Sequence, residues 1–594
     1  MAFFSVATFV AITIFFTACE PDEPQQQEIE YSNWDSVWNA KYVGTQTCIN
    51  CHADIFETYQ HTGKWKAFYP PNRNNIIENF EKVLVYDSLK NFYYTAFWSG
   101  ETMYIAEFRL KGKDTTYYRK EKVSFVVGSG NQTRSYVLEE KGYLYEMPIT
   151  WYTKKQQWDL SPGYENGNNS RFERPIGQKC LDCHSSQFEV IEHSFNRFSK
   201  IGEGIGCEKC HGAGSYHVNF FTKNASNVVD SNTIVNPSRL PIQLQLDVCR
   251  QCHLEGITVL KPGKEMSDFK PGMLLGDIAE IFIPVAQNSE DFGFASHAER
   301  LQMSRCFTVS ENLTCTSCHH AHETLPQNQQ LFYTQKCLQC HTTGHNCSKI
   351  AATDMSTTDC VPCHMKKGET TDIPHVSSAD HYIRVLDTAP QQTQSKENKK
   401  ILNFRNFTQT HSSNRSKAMA FMIYYEEQEA NPEYLQQITE YVAELAPEDK
   451  WRYYFLSQKT PSITELPTDT ATIQHPFTAY YLADIHKNKQ LPYLLWLQRA
   501  ANLAPDNITI LYRLALAYQV EGKTPQSIEI YQAILERNPK HAPALNNLAY
   551  ALLQEKRTEK AINLLKKALQ IEPDYRQAQE NLSQALKLQS NQSF

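Results

Sequence analysis

The chain lacks a surplus of positive charge. Its 58 Lys and Arg are outnumbered by 65 Asp and Glu, giving a formal net charge of −7. A nucleic-acid partner would want a basic face, so that class of function is excluded. The chain also lacks a second long apolar run. Beyond residues 2–18 no stretch approaches the roughly 20 apolar residues that cross a bilayer. Histidine is scarce late in the sequence, with four among residues 385–594. At 594 residues the chain is too long for one core and is expected to divide into two to four domains.

What is abundant is cysteine, in a strict arrangement. Fourteen of the 17 Cys fall in seven Cys-x-x-Cys-His strings: Cys48-Cys51-His52, Cys180-Cys183-His184, Cys207-Cys210-His211, Cys249-Cys252-His253, Cys315-Cys318-His319, Cys337-Cys340-His341 and Cys360-Cys363-His364. The chain's own Cys and His frequencies give roughly 0.02 such strings by chance. The spacing has a mechanism: two thiols one short turn apart add to the vinyl groups of a haem, and the next residue's imidazole reaches the iron. Zinc ribbons also use Cys-x-x-Cys pairs, but they have no reason to place His after the second Cys every time. An odd number of pairs suits four-Cys sites poorly. The expectation is seven covalently bound haem c groups. The 32 Tyr and 30 Phe suit them, as apolar walls for large flat cofactors.

Each haem iron has a second axial position. Besides the seven motif histidines, residues 46–382 contain His61, His193, His217, His297, His320, His322, His345, His375 and His381. That supply is close to what seven bis-histidine haems consume. The expected distal ligands are His61, His217, His297, His322, His375 and His381, with His193 or His345 filling the last place. Met303, Met355 and Met365 read as packing residues. Cys306 and Cys347 are left over, and a disulfide between them is expected in an oxidising compartment, with two separately buried thiols as the alternative.

The N-terminal segment reads as an export signal. Residues 2–18 are nearly all apolar and end in Phe16-Thr17-Ala18-Cys19, which resembles a bacterial lipobox with Cys19 as the lipidated residue. Its first residues lack the usual Lys or Arg. The mature chain is expected outside the cytoplasm, anchored by lipid in a Gram-negative envelope. It would face the periplasm or, since Glu20, Asp22 and Glu23 resemble a surface-export signal, stand on the outer membrane.

The organisation follows: signal peptide 1–19, polar tether 20–45, first haem segment 46–75, β-rich insert 76–165, six-haem domain 166–384, Pro-Gln-Lys-rich linker 385–411, and a helical region 412–594. The insert is read from alternation in Tyr104-Ile105-Ala106-Glu107-Phe108 and from turns such as Gly128-Ser129-Gly130-Asn131. Pro505, Pro539 and Pro573 stand 34 residues apart, the period of the tetratricopeptide repeat. Clear repeats cover 508–541 and 542–575, a degenerate one precedes them at about 474–507, and 576–592 reads as a capping helix. The fold class is therefore multidomain: a mainly α and irregular domain organised by haem with a β-rich insert, then an all-α solenoid.

Taken together, the strings resemble bacterial multihaem cytochromes that join doubled Cys-x-x-Cys-His segments to C-terminal tetratricopeptide repeats. These look related to the superfamily of hydroxylamine oxidoreductase and the tetrahaem carrier of ammonia oxidation. The likeness rests on Val127-Gly128-Ser129-Gly130-Asn131, on Trp158-Asp159-Leu160-Ser161-Pro162-Gly163-Tyr164, and above all on Gly206-Cys207-Glu208-Lys209-Cys210-His211-Gly212-Ala213-Gly214-Ser215-Tyr216-His217. Further likeness lies in Cys315-Thr316-Ser317-Cys318-His319-His320-Ala321-His322 and Cys360-Val361-Pro362-Cys363-His364-Met365-Lys366. The resemblance implies distal-ligand roles for His217 and His322, and closely stacked haems. No Cys-x-x-Cys-Lys string is present, which argues against the chemistry of the nitrite-reducing relative that uses one. The function expected is electron transfer, with the repeats docking a redox partner protein. The alternative is a multihaem oxidoreductase with one open haem, acting on a small nitrogen or sulfur compound.

Overall fold

The computed structural model describes residues 34–223, 232–286, 292–341, 358–386, 401–459 and 461–592. The signal segment, Cys19, His345, Cys347 and Met355 lie outside the described residues, as do residues 387–400 of the expected linker. Among the described residues no helix is long and apolar enough to cross a membrane.

The insert forms two sheets. Strands β2 (Val85–Asp87), β3 (Phe92–Ser99), β4 (Thr102–Lys111) and β5 (Asp114–Lys122) make a four-stranded antiparallel meander. A seven-stranded sheet joins β1 (Phe68–Tyr69), β6 (Phe125–Val127), β7 (Thr133–Glu140), β8 (Tyr143–Glu146), β9 (Ile149–Tyr152), β10 (Gln157–Leu160) and β11 (Arg174–Pro175). The β-structure thus starts before residue 76 and ends after 165. Alternation along β3 explains the packing: Phe92, Tyr94 and Ala96 are buried, while Tyr93, Thr95 and Phe97 face outward. The buried set meets Tyr136, Leu138, Ile149 and Phe172 in a core shared by the two sheets.

Regular structure thins out over residues 178–386. Short helices carry the motifs, and β12 (Phe188–Val190) pairs with β13 (Phe198–Ile201). Strand β14 (Ile257–Leu260) pairs with β15 (Ala279–Ala286), and β16 (Lys367–Glu369) pairs with β17 (Ser377–Ala379). The described part of the expected linker contains a strand. Residues Ile401–Asn406 form β18, which pairs antiparallel with β15. Ile401 and Phe404 sit in one apolar cluster with Phe282, Phe421 and Tyr434. Polar neighbours in the sequence hide this strand; burying its apolar side chains is what makes it form.

The C-terminal region is helical and repeat-like. Helices Ile508–Val520 and Thr524–Arg537 form one unit, and Ala542–Gln554 and Thr558–Ile571 the next. Before them stand Pro476–Asn488 and Leu494–Leu503; after them comes Arg576–Gln592. Small buried residues (Ala515, Ala549, Ala561, Ala568) let the helices approach, and Leu511, Leu514, Tyr531, Leu545 and Leu565 fill the core between them. Each fully buried Leu or Ile contributes about 1.5–3 kcal/mol, so this stack has a core of its own. Gly522, at φ +70°, supplies the left-handed turn between its two helices.

The solenoid lies against the β-insert through one edge. The residue after each repeat proline is Asp506, Lys540 or Asp574, and all three reach across. Asp506 accepts from Arg197 at 2.7 Å, and its carbonyl accepts from the Tyr143 hydroxyl at 2.9 Å. Lys540 pairs with Glu121 at 2.7 Å and Glu140 at 3.1 Å. Asp574 pairs with Arg109. Arg171 also donates to the Ile571 carbonyl at 2.7 Å. The repeat period therefore sets a row of alternating charges against a complementary row formed by Arg197 beside β13 and by Glu121, Glu140 and Arg109 of the insert.

Candidate haem sites

Each motif sits on a single helical turn, because residues i, i+3 and i+4 of a turn share one face. The backbone N–H of His52 donates to the Cys48 carbonyl at 2.9 Å, that of His211 to Cys207 at 3.1 Å, and that of His319 to Cys315 at 3.0 Å. His341 and His364 repeat the pattern with Cys337 and Cys360. Both thiols and the imidazole are thereby presented to one side.

The structure brings several of these histidines onto a second imidazole. His52 faces His217 with ring centroids 6.2 Å apart, His211 faces His322 at 5.8 Å, His253 faces His297 at 5.3 Å, and His319 faces His381 at 6.2 Å. A ring nitrogen binds a first-row metal at about 2 Å, so two rings on opposite sides of one iron have centroids roughly 6 Å apart. Three of the four pairs, at 5.8–6.2 Å, stand close to that figure, and the His253 pair is tighter at 5.3 Å. His297 also stacks on His381 at 4.4 Å, too close for an iron between them. That contact joins two neighbouring pairs through their distal rings.

The second ring nitrogen is engaged where a metal ligand needs it to be. Nδ1 of His211 lies 2.9 Å from the Val235 carbonyl, that of His364 3.2 Å from Arg384, and that of His184 3.4 Å from Ala67. On the distal side, His381 Nδ1 meets the Ala379 carbonyl at 3.2 Å and His217 Nδ1 meets Thr233 Oγ1 at 2.8 Å. In each case Nε2 is the ring nitrogen that a haem iron would take. Burial, reinforced by neighbouring His and Lys64, pushes the His253 and His319 pKa values down to about 4. For His297, burial and the adjacent His381 push it to about 2. These imidazoles are neutral at pH 7, the form that binds metal.

Two carboxylates hold the arrangement. Glu208, inside the third motif, accepts from the backbone N–H groups of Val43, Gly44 and Gly214 at 2.8–2.9 Å, which ties the approach to the first motif onto the third. Asp380 forms a buried pair with Arg300, at 2.8 Å from Nε. Arg300 lies on the helix that begins at His297, and Asp380 precedes His381, so this pair sets the two distal rings together. Ser304 adds to it, with Oγ donating to the His381 carbonyl at 3.1 Å and accepting from Ile383 N–H at 2.8 Å. Neither carboxylate stood out in the sequence; only their neighbours did.

The motifs also meet out of sequence order. The thiol of Cys48 lies beside that of Cys207, and Cys183 likewise beside Cys252, Cys249 beside Cys315, and Cys337 beside Cys360. The first motif thus adjoins the third, the second the fourth, the fourth the fifth, and the sixth the seventh. Cofactor edges held by these thiols would lie side by side. The donor set, its tautomers and its spacing all fit haem c.

Other expected ligands are placed differently. His375 presents Nε2 to Asp159 at 2.9 Å and its ring edge to Tyr152, with φ at +59°. The nitrogen an iron would need is taken by a carboxylate. His61 is exposed just past helix Ala53–Tyr59. His193 lies 6.3 Å from His475 of the helical region, and its carbonyl accepts from Asn507. Cys306 is a free thiol, and its expected disulfide partner lies outside the described residues.

Comparison with known proteins divides the chain in the same way. A family model described as cytochrome c554 and c-prime matches residues 151–212, and a tetratricopeptide-repeat model matches residues 512–575. The chain carries a c554-type cytochrome domain and tetratricopeptide repeats. That cytochrome family implies covalently bound haem c. Among solved structures, YrrB, titled a TPR protein with an unusual peptide-binding site, is 17% identical, with 28% of this chain and 82% of that one covered and a TM-score of 0.19. MamA AMB-1 is 16% identical, covering 30% and 89%, with a TM-score of 0.22. The first TPR of Spaghetti (RPAP3), bound to an HSP90 peptide, is 15% identical, covering 20% and 94%, with a TM-score of 0.18. No curated protein matches the chain.

Proposed function

We propose that this chain is an extracytoplasmic heptahaem electron-transfer protein. The observation that carries the reading is the set of four motif histidines each facing a second imidazole at 5.3–6.2 Å. A haem c bound at such a site supplies reversible one-electron chemistry. The protein's part is to hold the rings rigidly in the neutral tautomer, to fill both axial positions, and to bring neighbouring sites together. His217, His297, His322 and His381 are the distal ligands this reading assigns, with His52, His211, His253 and His319 opposite. His184, His341 and His364 complete the seven proximal ligands.

Attachment through fourteen thioethers requires maturation outside the cytoplasm, and Cys19 is the proposed lipid anchor. The helical repeats serve protein contact. Their turn edge is occupied by the insert, so a free redox partner would use the groove of about 360 Å³ lined by Gln498, Asn502, Leu514, Tyr518, Ile530 and Arg537. A multihaem oxidoreductase with one open haem is the second reading. It draws on His375, whose Nε2 is held by Asp159 and so is withdrawn from iron. A pyridine haemochrome assay with intact mass should find seven haems in matured protein; five or fewer would overturn the count. Cys19→Ser should release the protein from membrane pellets with haem content unchanged.

A further inference from the structure

The four-stranded sheet has two faces with opposite fates. Its inner side chains pack into the insert's core and onto the solenoid: Tyr94 and Ile105 are buried, Glu121 meets Lys540, and Tyr117 donates to the Gln570 carbonyl at 3.0 Å. The outer face carries a row of aromatic rings crossing all four strands. Register places Tyr86 opposite Tyr93, Tyr93 opposite Phe108, and Phe108 opposite Tyr118. Tyr86 and Tyr93 stack at 4.4 Å and Tyr93 and Phe108 at 5.5 Å. The row ends are open, with Tyr86 48% and Tyr118 54% exposed. Beside it Phe97 stacks on Tyr104 at 5.8 Å, and Lys120 lies over the Tyr104 ring at 4.9 Å.

Charge on this face is one-sided. The outward positions of β5 are Tyr118, Lys120 and Lys122, and both lysines are exposed. The carboxylates of these strands, Asp87, Glu107 and Glu121, are buried on the inner side. Asp114 is the exposed first residue of β5, at the end of the sheet, and Glu101 stands in the turn between β3 and β4, 3.6 Å from Arg73. A chain of net charge −7 therefore keeps one aromatic sheet face free of carboxylates and edged with lysine.

We propose that the outer face of β2–β5 is a docking surface for an acidic partner protein, one that presents carboxylates around an apolar centre. Rigid aromatic anchors with little rotamer freedom, ringed by charge, are what tight protein interfaces use. Two other occupants fit less well. A second copy of this chain would set lysine against lysine. A bilayer needs side chains that reach about 5–10 Å into the headgroup boundary, and rings stacked flank to flank on a flat sheet do not protrude that far. The inference is independent of the haem reading, because it uses no motif residue.

The test uses the full-length holoprotein and a fluorescent poly(Glu,Tyr) random copolymer, compared with polyglutamate of equal length. Fluorescence anisotropy at low ionic strength should show tighter binding of the aromatic copolymer. Lys120→Glu with Lys122→Glu should weaken it about tenfold, through lost charge complementarity. The milder pairs Lys120→Ala with Lys122→Ala, and Tyr86→Ser with Tyr118→Ser, should each weaken it about threefold. A Lys587→Ala change, at an exposed lysine of the last helix, should leave it unaltered. Unchanged affinity in both lysine pairs would overturn the proposal. So would binding to phosphatidylglycerol vesicles that the same variants abolish, which would make the face a membrane surface. Sedimentation showing a dimer lost in those variants would make it a self-interface.

Discussion

Residues 178–386 and residues 476–592 are held together by different means. The solenoid buries Leu, Ile and Ala along every helix and has a continuous apolar core. Among its described residues the motif-bearing region has short helices, short strands and small apolar clusters, such as Leu254, Phe269, Leu275 and Ile278. Where a chain of that length lacks an apolar core, the missing contacts must come from elsewhere, and fourteen thiols name the source. On the proposed reading the first region would need its cofactors to fold, while the second has an apolar core of its own and packs against the insert.

The largest effect expected from that contrast is in protein made without haem attachment. Chain expressed where no haem is ligated should lose protease protection across 178–386 while keeping helical circular dichroism and protection across 476–592. Equal protection of both regions would break the comparison. Next comes Arg300→Ala, which strands Asp380 in a buried site. Leaving one partner of a buried pair uncompensated costs about 3–5 kcal/mol. Denaturant unfolding should show that loss, together with altered low-spin signals from the His297 and His381 sites.

Much of this contrast was legible in the chain and some was not. The motifs were legible because covalent attachment demands consecutive residues, and the repeats because helix packing demands a fixed period. Distal ligands are chosen by contacts between distant segments. The facing of His217 with His52, of His322 with His211, and the bond of His375 to Asp159 all join segments far apart in the sequence. The order in which motifs meet, first with third and second with fourth, is likewise long-range. Strand β18 was masked by polar neighbours, and its partner strand lies more than 110 residues earlier. Docking of the repeat turns was invisible because Asp506, Lys540 and Asp574 look like ordinary turn residues until Arg197, Glu121 and Arg109 are placed beside them.

The clamp offers a sharper, smaller test. Lys540→Glu sets three carboxylates together at Glu121 and Glu140 and should cost on the order of 2 kcal/mol. Protease cleavage in the repeat turns of residues 505–575 should rise accordingly, with haem content unchanged. A smaller effect still is expected at His541, the residue that caps helix Ala542–Gln554. Its Nδ1 accepts from the Ala544 N–H at 3.1 Å, and burial pushes its pKa down to about 4. An unfolded histidine titrates near about 6.5, so the folded form binds fewer protons between those values. The cap's contribution is whole above about pH 6.5 and is lost as pH falls through about 4, with about 1 kcal/mol at stake. His541→Asn should keep the cap and flatten that dependence in thermal melts of the solenoid.

The central claim is that the paired imidazoles fill both axial positions and make this protein a carrier of electrons. Ferric EPR of the fully matured chain, with carbon monoxide titration of the ferrous form, tests it most directly. The account predicts low-spin signals and no stoichiometric carbon monoxide complex, with a single high-spin haem appearing in each of His217→Ala and His322→Ala. A stoichiometric high-spin haem in the unaltered protein, binding carbon monoxide, nitrite or hydroxylamine, would contradict it and establish an open catalytic site.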